Sequence, residues 1–175
     1  MMFRHAPFVR PTLLVAAMAV SVMLAGCAVD DPNRADESVQ EANTEKAIAA
    51  IESYHSEWEA LDFDRVTQWH APDFEYVFFD QIVPGEAFPA VLSDKWMTGV
   101  TRYRIDESDY RPVVISSDAV WVTLNVADDT QYADGSAAET SGVMSYLLVR
   151  SSEEWKVRRV HHSGPPPADL YEGES

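Results

Sequence analysis

The last predicted strand of the chain carries the residues best suited to acid–base chemistry. Side chains alternate along a strand, so one face presents Trp155, Val157, Arg159, His161 and Ser163. A histidine such as His161 can accept or donate a proton near neutral pH. An arginine beside it, here Arg159, can hold a carboxylate or a developing oxyanion. His161 and Arg159 are therefore the candidate catalytic residues, and the competing interpretation is that both are structural.

Other kinds of reactive site find little support in the sequence. His161 and His162 are neighbours on a strand and must point to opposite faces, whereas His55 and His70 stand apart. No His-x-x-x-His, Cys-x-x-Cys or His-Glu-x-x-His pattern occurs. There is also no Gly-x-Ser-x-Gly motif for a nucleophile and no glycine-rich phosphate loop. We therefore expect no dedicated metal and no cofactor.

The first 26 residues have the character of an export signal. A short basic start precedes a nearly apolar run from Thr12 to Leu24, which is shorter than the roughly 20 residues that span a bilayer. The following Leu24-Ala25-Gly26-Cys27 resembles the lipobox of bacterial lipoproteins, in which the cysteine is acylated and becomes the N-terminus. The resemblance implies lipidation of Cys27 and anchoring to the cell envelope. By the same resemblance, Ala28 implies the outer membrane, with the domain facing the periplasm.

The charge of the chain limits its partners. The formal net charge is −16, and removing residues 1–26 takes away Arg4 and Arg10 but no acidic residue. Such a surface repels nucleic acid, so we expect no nucleic-acid partner. Cys27 is the single cysteine of the sequence, so no internal disulfide can form and the fold must rely on its core.

Composition divides the mature chain into three parts. Residues 27–43 comprise the cysteine and an acidic, polar stretch without apolar period, which predicts a flexible tether. Residues 44–164 are long enough for one domain with its own core. From residue 165 onward, prolines and acidic residues predict a disordered tail that ends at Ser175.

The predicted domain begins with helices. A helix from about Thr44 to Ala60 is indicated by apolar steps of three and four, at Ala47, Ile51, Tyr54, Trp58 and Leu61. Asp62 can cap a second short helix that Pro72 ends, and a third short helix is indicated within residues 86–97.

Strands dominate the rest of the domain. Residues 74–79 are aromatic and strand-like, and from Gly99 onward the apolar period is two. This pattern predicts strands over residues 100–115, 119–127, 139–150 and 155–163, joined by short turns. Helices followed by an antiparallel meander predict the α+β class.

This order of elements resembles the SnoaL-like branch of the NTF2-like superfamily over residues 44–164. The residues that carry the resemblance are Trp58–Val66, His70–Tyr76, Ser117–Val122 and, most specifically, the final strand Trp155–Gly164. The resemblance implies a cystatin-like cone, in which N-terminal helices pack in a strongly curved antiparallel sheet and leave a pocket between them. It also implies a homodimer, because members frequently dimerise through the sheet.

The resemblance places the face of His161 toward the pocket. The pocket candidates are Tyr54, Trp58, Trp69, Tyr76, Tyr146 and His161. Ketosteroid-isomerase-like members combine an aspartate base with a tyrosine and a second acid. Analogues here would come from Asp73, Asp80, Glu107 and Asp109, with Tyr76, Tyr103, Tyr110 or Tyr146 as donors, and no spacing selects one set.

Three functions are compatible with this sequence. The leading hypothesis is a lipoprotein that binds a small, largely apolar ligand, and the sequence favours a protein that is not an enzyme because no catalytic set is recognisable. The first alternative is an acid–base enzyme of the isomerase, dehydratase or cyclase type, using His161 and a pocket carboxylate. The second is a homo-oligomeric interaction module with an exposed apolar face such as Val120, Val122 and Leu124.

Overall fold

The computed structural model describes residues 32–78 and 81–164, with side chains from residue 37 onward. All of these residues lie in one of the two units into which the chain divides. Within them, α1 is Pro32–Glu59, α2 is Phe63–Gln68 and α3 is Phe88–Val91. The strands are β1 (His70–Phe78), β2 (Gln81–Pro84), β3 (Val100–Ser116), β4 (Ala119–Tyr132), β5 (Ala137–Ser151) and β6 (Glu154–Ser163). The predicted export signal with Cys27, the predicted tail from residue 165 and Asp80 lie outside the described residues.

The first helix begins earlier than the apolar pattern predicts. α1 starts at Pro32, so most of the stretch expected to be a flexible tether is helical. Residues 37–42 are all exposed, and an exposed helical segment has no apolar stripe from which to recognise it. Packing begins at Asn43, which is buried and whose side-chain amide donates to the Ser117 carbonyl at 3.1 Å. No helix in the described part of the chain is long and apolar enough to cross a membrane.

The short helices follow their sequence signals closely. Asp62 is the N-cap of α2, and its carboxylate accepts from the backbone N–H of Arg65 at 3.2 Å. α2 ends at Gln68, four residues before Pro72, which lies within β1. α3 has a proline in its first turn and continues into a π-helical turn, Leu92–Trp96, within the predicted third helix.

The six strands form one curved, mixed sheet in the order β2-β1-β6-β5-β4-β3. The α+β cone is confirmed, and β3 to β6 form the predicted antiparallel meander. The expectation of a purely antiparallel sheet is wrong at one pair, because β1 runs parallel to β6. The parallel pair follows from connectivity: β1 precedes the meander in sequence but joins the sheet beside its last strand.

The core lies between α1 and the concave face of the sheet. The inward side of α1 buries Ala47, Ile51 and Tyr54, with exposed fractions of 1% or less. The facing residues of β4 are Val120, Val122 and Leu124, each fully buried. These three residues are therefore core and not the exposed apolar face that an interaction module would need. Among the described residues, exposed apolar side chains on the sheet include Val113 and Ile115 of β3.

Candidate active site

A histidine on the inward face of α1 is held between two partners from the sheet. His55 is 3% exposed and follows Ile51 by one helical turn, so its ring points into the core. Its Nδ1 bonds the Glu107 carboxylate of β3. Its Nε2 lies 2.5 Å from the Tyr146 hydroxyl of β5. A base, a group that orients it and a polarised hydroxyl thus meet under α1, which is the arrangement acid–base catalysis requires.

The bonds around His55 suit both of its protonation states. A carboxylate only accepts, so Nδ1 donates its proton to Glu107. In the neutral ring, Nε2 accepts from the Tyr146 hydroxyl. When Nε2 gains a proton it can donate to the Tyr146 oxygen, and the hydroxyl proton can turn to Met144 Sδ at 2.9 Å. In both protonation states, every proton of His55 and Tyr146 in this cluster therefore has an acceptor.

Burial keeps the tyrosines around His55 in their neutral form. Desolvation raises the pKa of Tyr146 well above its usual value, and nearby phenols and Glu107 raise it further. The pKa of Tyr76 and of Tyr103 is raised for the same first reason. These hydroxyl groups are consequently hydrogen-bond donors over the whole physiological pH range.

A second buried acid lies nearby. Asp128 of β4 is 7% exposed, and Thr140 Oγ1 donates to its Oδ2 at 3.2 Å. Its other oxygen, Oδ1, has no hydrogen-bond partner among the described residues. Burial raises the pKa of Asp128, while the nearby hydroxyl groups of Thr140 and Tyr103 act in the opposite direction. The net effect is that this carboxyl group keeps its proton to a higher pH than a surface aspartate does.

A further histidine beside His55 has a different character. The His70 ring stacks on Phe74 at a centroid distance of 3.5 Å, and its Nε2 lies 3.3 Å from the Tyr54 hydroxyl. Burial lowers the pKa of His70 from 6.5 to about 4. Burial also raises the pKa of Tyr54. Both groups are neutral at pH 7 and serve as packed walls of the interior.

The two predicted catalytic residues point away from this interior. Pairing of β5 with β6 shifts between Leu147, opposite Arg159, and Leu148, opposite Val157. This bulge reverses the alternation of β6, so Arg159 and His161 are exposed. Arg159 bonds Glu75 on the outer face. The assignment of His161 and Arg159 to the pocket is therefore corrected.

His162 takes the inward position that the sequence assigned to its neighbour. It is 8% exposed, and its Nε2 lies 3.2 Å from where a Cβ on Gly142 would be. Burial, and to a lesser extent His161, lowers the pKa of His162 from 6.5 to about 4. A ring that stays neutral down to this pH is a poor proton carrier at pH 7.

The aromatic pocket candidates divide between two places. The core holds four of them, namely Tyr54, Trp58, Tyr76 and Tyr146. Phe88 contacts two of them, with ring centroids 6.0 Å from Trp58 and 5.3 Å from Tyr76. The remaining aromatic candidate, Trp69, lines a groove of about 550 Å³ between α1, α2 and the start of β6.

The candidate acids are also sorted by the structure. Glu107 points inward to His55, whereas Asp73 forms an exposed ion pair with Arg158 at 2.7 Å. Asp109 accepts from Asn125 on the exposed surface. The described residues contain no group of three His, Cys, Asp or Glu side chains that could hold a metal ion.

Sequence reasoning missed His55 and Asp128, although each left a signal. His55 lies four residues after Ile51, on the same apolar stripe of α1. Asp128 continues by two the alternation of Val120, Val122, Leu124 and Val126. A polar residue at a position where the period demands an apolar one is a candidate for function.

Comparisons with known proteins agree with this geometry at the level of the fold. The profile of the SnoaL-like domain matches residues 48–168. A putative scytalone dehydratase from Novosphingobium aromaticivorans has a similar structure, with a TM-score of 0.68 and 12% identity over 73% of this chain and 87% of the other. No curated protein sequence matches the chain.

Two further solved structures have the same fold. A hexachlorocyclohexane dehydrochlorinase from Novosphingobium barchaimii has a TM-score of 0.62 and 14% identity, covering 74% of this chain and 90% of that one. The ActVI-ORFA protein from Streptomyces coelicolor has a TM-score of 0.59 and 16% identity, covering 69% and 96%. At such low identities the similarity concerns the fold and not the chemistry.

Proposed function

Because the chain belongs to the SnoaL-like domain family, whose members use one scaffold for different chemistries, its function must be argued from its own side chains. We propose that it is an acid–base enzyme that abstracts a proton from a small, largely apolar molecule, with His55 as the base. The observation that carries this proposal is the bonding of His55 between Glu107 and Tyr146. His161, the base of the sequence-derived alternative, has no part in it.

The proton path follows from the same contacts. Tyr146 covers Nε2, so a substrate proton reaches His55 through this hydroxyl: the Tyr146 oxygen takes the substrate proton as its own proton passes to Nε2. Glu107 stabilises the positive charge that the ring acquires, as a buried carboxylate does for a catalytic histidine. The low dielectric of the core strengthens this interaction relative to the same pair in water.

The walls near this cluster favour an apolar substrate. Half-buried Trp96 and Phe78 lie 4.8 Å apart between ring centroids, and Trp96 lies 5.2 Å from Tyr76. Such rings bind planar or aliphatic molecules by burying apolar surface area and, for planar molecules, by ring stacking. The net charge of −16 acts against anionic substrates. The leading hypothesis from sequence, a small apolar ligand, is thereby retained as the substrate class.

Names of structural neighbours support the reaction class without establishing it. A dehydratase removes water and a dehydrochlorinase removes hydrogen chloride, and both names describe eliminations. An elimination begins with removal of a proton from carbon, which is the step assigned here to His55.

The test is elimination from an apolar ester, 4-acetoxy-4-phenylbutan-2-one, followed by the ultraviolet absorbance of the conjugated ketone formed. His55→Gln should lower kcat/KM by about 100-fold, because it removes the base. His161→Gln is the matched control, since this exposed histidine should be dispensable. The proposal is overturned if the wild type has no activity above buffer, or if His55→Gln retains it.

We also propose that the protein is lipid-anchored through Cys27 in the cell envelope, facing the periplasm. Support comes from the apolar run up to Leu24 followed by Ala25-Gly26-Cys27. The substitution Cys27→Ser should release the protein from the membrane fraction. It should also lower the measured mass of the N-terminal peptide by the mass of the acyl chains. An unmodified Cys27 in the mature wild-type protein would contradict the proposal.

A homodimer through the outer face of the sheet is proposed as well. Val113, 60% exposed, lies opposite Trp121 on β4, and Trp121 lies opposite Leu147 on β5, which makes an apolar row across three strands. Ile115→Lys beside this row should shift sedimentation toward the monomer. A wild type that sediments as a monomer at all accessible concentrations excludes this dimer, and with it the interaction-module alternative.

A further inference from the structure

The buried carboxyl group of Asp128 is not explained by the stability of the fold. Burying a polar group without a partner destabilises the folded state, so an unsatisfied oxygen in a core indicates strain or a function. Asp128 Oδ2 accepts from Thr140, while Oδ1 has no partner among the described residues. The side chain thus has one anchored oxygen and one available oxygen.

The strand register places Asp128 next to the His55 cluster. On β4, Val122 lies opposite Tyr146 and Val126 lies opposite Glu107. Because His55 bonds both of those partners, its ring lies over the stretch of β4 between Val122 and Val126. Asp128 is the next inward residue, about 7 Å farther along the strand.

An elimination needs one group at the carbon that loses a proton and another at the atom that leaves from the adjacent carbon. A molecule between His55 and Asp128 would present one end to each. The neighbouring groups around Asp128 include three neutral donors, namely Tyr76, Tyr103 and Thr140.

We propose that Asp128 is the general acid of the reaction, and that its Oδ1 protonates an oxygen leaving group. This inference rests on the proposed function and extends it to a substrate class: apolar β-hydroxy carbonyl compounds, which lose water. A hydroxyl group leaves as water only if it receives a proton, whereas a good leaving group does not need one.

The step is balanced without a co-reactant. His55 takes the proton from the carbon next to the carbonyl through the Tyr146 hydroxyl, and the C–H electron pair becomes the C=C bond. The C–O bond breaks with its electron pair on oxygen, which takes the proton of Asp128 and departs as water. The enzyme is left with protonated His55 and ionised Asp128, and one proton passing from His55 to Asp128 restores the starting state.

The environment of Asp128 supports this role. Burial raises its pKa, so the proton that it must donate is retained to a higher pH than on an exposed aspartate. His55 and Asp128 thus form a pair whose surroundings differ, and such pairs divide the acid and base roles between them. Thr140 fixes Oδ2 and leaves Oδ1 to carry the proton.

The experiment compares two compounds that give the same product. 4-Hydroxy-4-phenylbutan-2-one loses water and its acetate ester loses acetate, and both yield 4-phenylbut-3-en-2-one after removal of the same proton. Asp128→Asn should lower kcat on the alcohol by about 100-fold and change kcat on the ester by less than about threefold. Asp129→Asn is the matched control, because Asp129 is the next residue and pairs with Arg102.

Each outcome bears on one claim. Equal losses of Asp128→Asn on both compounds, with an unchanged melting temperature, would show that Asp128 does not act on the leaving group. Full activity of Asp128→Asn on the alcohol would also overturn the inference. Loss of both activities in His55→Gln is expected and leaves the inference intact. If the wild type turns over neither compound, the proposed function itself is refuted.

A misfolded variant is recognised independently. Asn and Asp have nearly the same shape, so Asp128→Asn should unfold at the wild-type temperature or slightly above it, since it no longer buries an ionisable group. If it melts much lower, Asp128→Ser gives a second variant without an acidic proton. The ratio of alcohol to ester turnover, measured within one variant, is independent of the folded fraction.

Discussion

His55 Nε2 and the Tyr146 hydroxyl lie 2.5 Å apart, although the two residues are separated by 91 positions in the chain. The contact joins the first helix to β5, and Glu107 of β3 completes it from the other side of the ring. Each of the three elements supplies one group to this contact.

Tyr146→Phe should weaken both the fold and the reaction. The substitution leaves His55 Nε2 without its partner in a buried place, which costs about 1–3 kcal/mol of unfolding free energy. Urea unfolding measures this loss, and Tyr132→Phe, at a partly exposed tyrosine, provides the control. A Tyr146→Phe protein as stable as the wild type would mean that the hydroxyl contact is weak in solution.

Glu107→Gln should separate the role of Glu107 in orienting the His55 ring from the role of its negative charge. The amide oxygen can still accept from Nδ1, so the ring keeps its position, but the charge that stabilises protonated His55 is lost. We expect kcat on the acetate ester to fall about tenfold to 100-fold, with little change in melting temperature. Glu75→Gln, which alters the outer-face pair with Arg159, should leave kcat unchanged. Equal kcat values for the two variants would remove Glu107 from the mechanism.

Two buried histidines should make the stability depend on pH. Burial lowers the pKa of His70 and of His162 from 6.5 to about 4. Between these values the unfolded chain binds protons that the folded chain does not, so the unfolding free energy falls as pH decreases through this window. The expected loss is on the order of 2 kcal/mol per histidine, measured by urea unfolding at a series of pH values.

The matched variants test the origin of this pH dependence. His162→Gln should flatten the slope between pH 6.5 and 4, because it removes one of the two depressed groups. His161→Gln should leave the slope as it is. If both variants keep the wild-type slope, His162 does not contribute to it.

Asn43→Ala should test whether the early part of α1 is packed. Asn43 accepts from Arg150 and donates to the Ser117 carbonyl at 3.1 Å, so its loss leaves buried groups without partners. We expect about 1–3 kcal/mol of destabilisation. Gln40→Ala, at an exposed position of the same helix, should have almost no effect. Faster amide hydrogen exchange in residues 32–43 of Asn43→Ala would locate the change, and identical exchange in both variants would contradict it.

The elements of the fold were predictable because each has a local signal. The stripe from Ala47 to Trp58 and the alternation from Val120 to Val126 reflect burial of one face, which sequence records directly. The start of α1 has no such record, since residues 37–42 are exposed and carry no apolar stripe. The bulge in β6 was also invisible, because nothing in the residue types around Arg158 marks an extra residue, and one inserted residue exchanges the two faces.

The site was predictable only in part, for a different reason. Tyr146 and Glu107 were recognised as candidates by type, but their partner His55 was not, because residues that meet across helix and sheet share no spacing in sequence. Asp128 is one acid among 29 acidic residues, and only its place in an alternating strand distinguishes it.

The position of β6 in the sheet has a consequence for how the molecule forms. This strand is the last described in the chain, yet it lies between β1 and β5, and it is the link between the β1–β2 pair and the meander. As the chain is synthesised from its N-terminus, β1 therefore has no lasting place in the sheet until residue 163 has emerged. Contacts of such long sequence separation slow folding, because the entropy cost of closing the intervening loop comes before the contacts that stabilise it. A chain shortened within residues 154–163 should accumulate as a partly folded, protease-sensitive species. In that species β3, β4 and β5 would be paired, whereas the β1–β2 pair would not be joined to them.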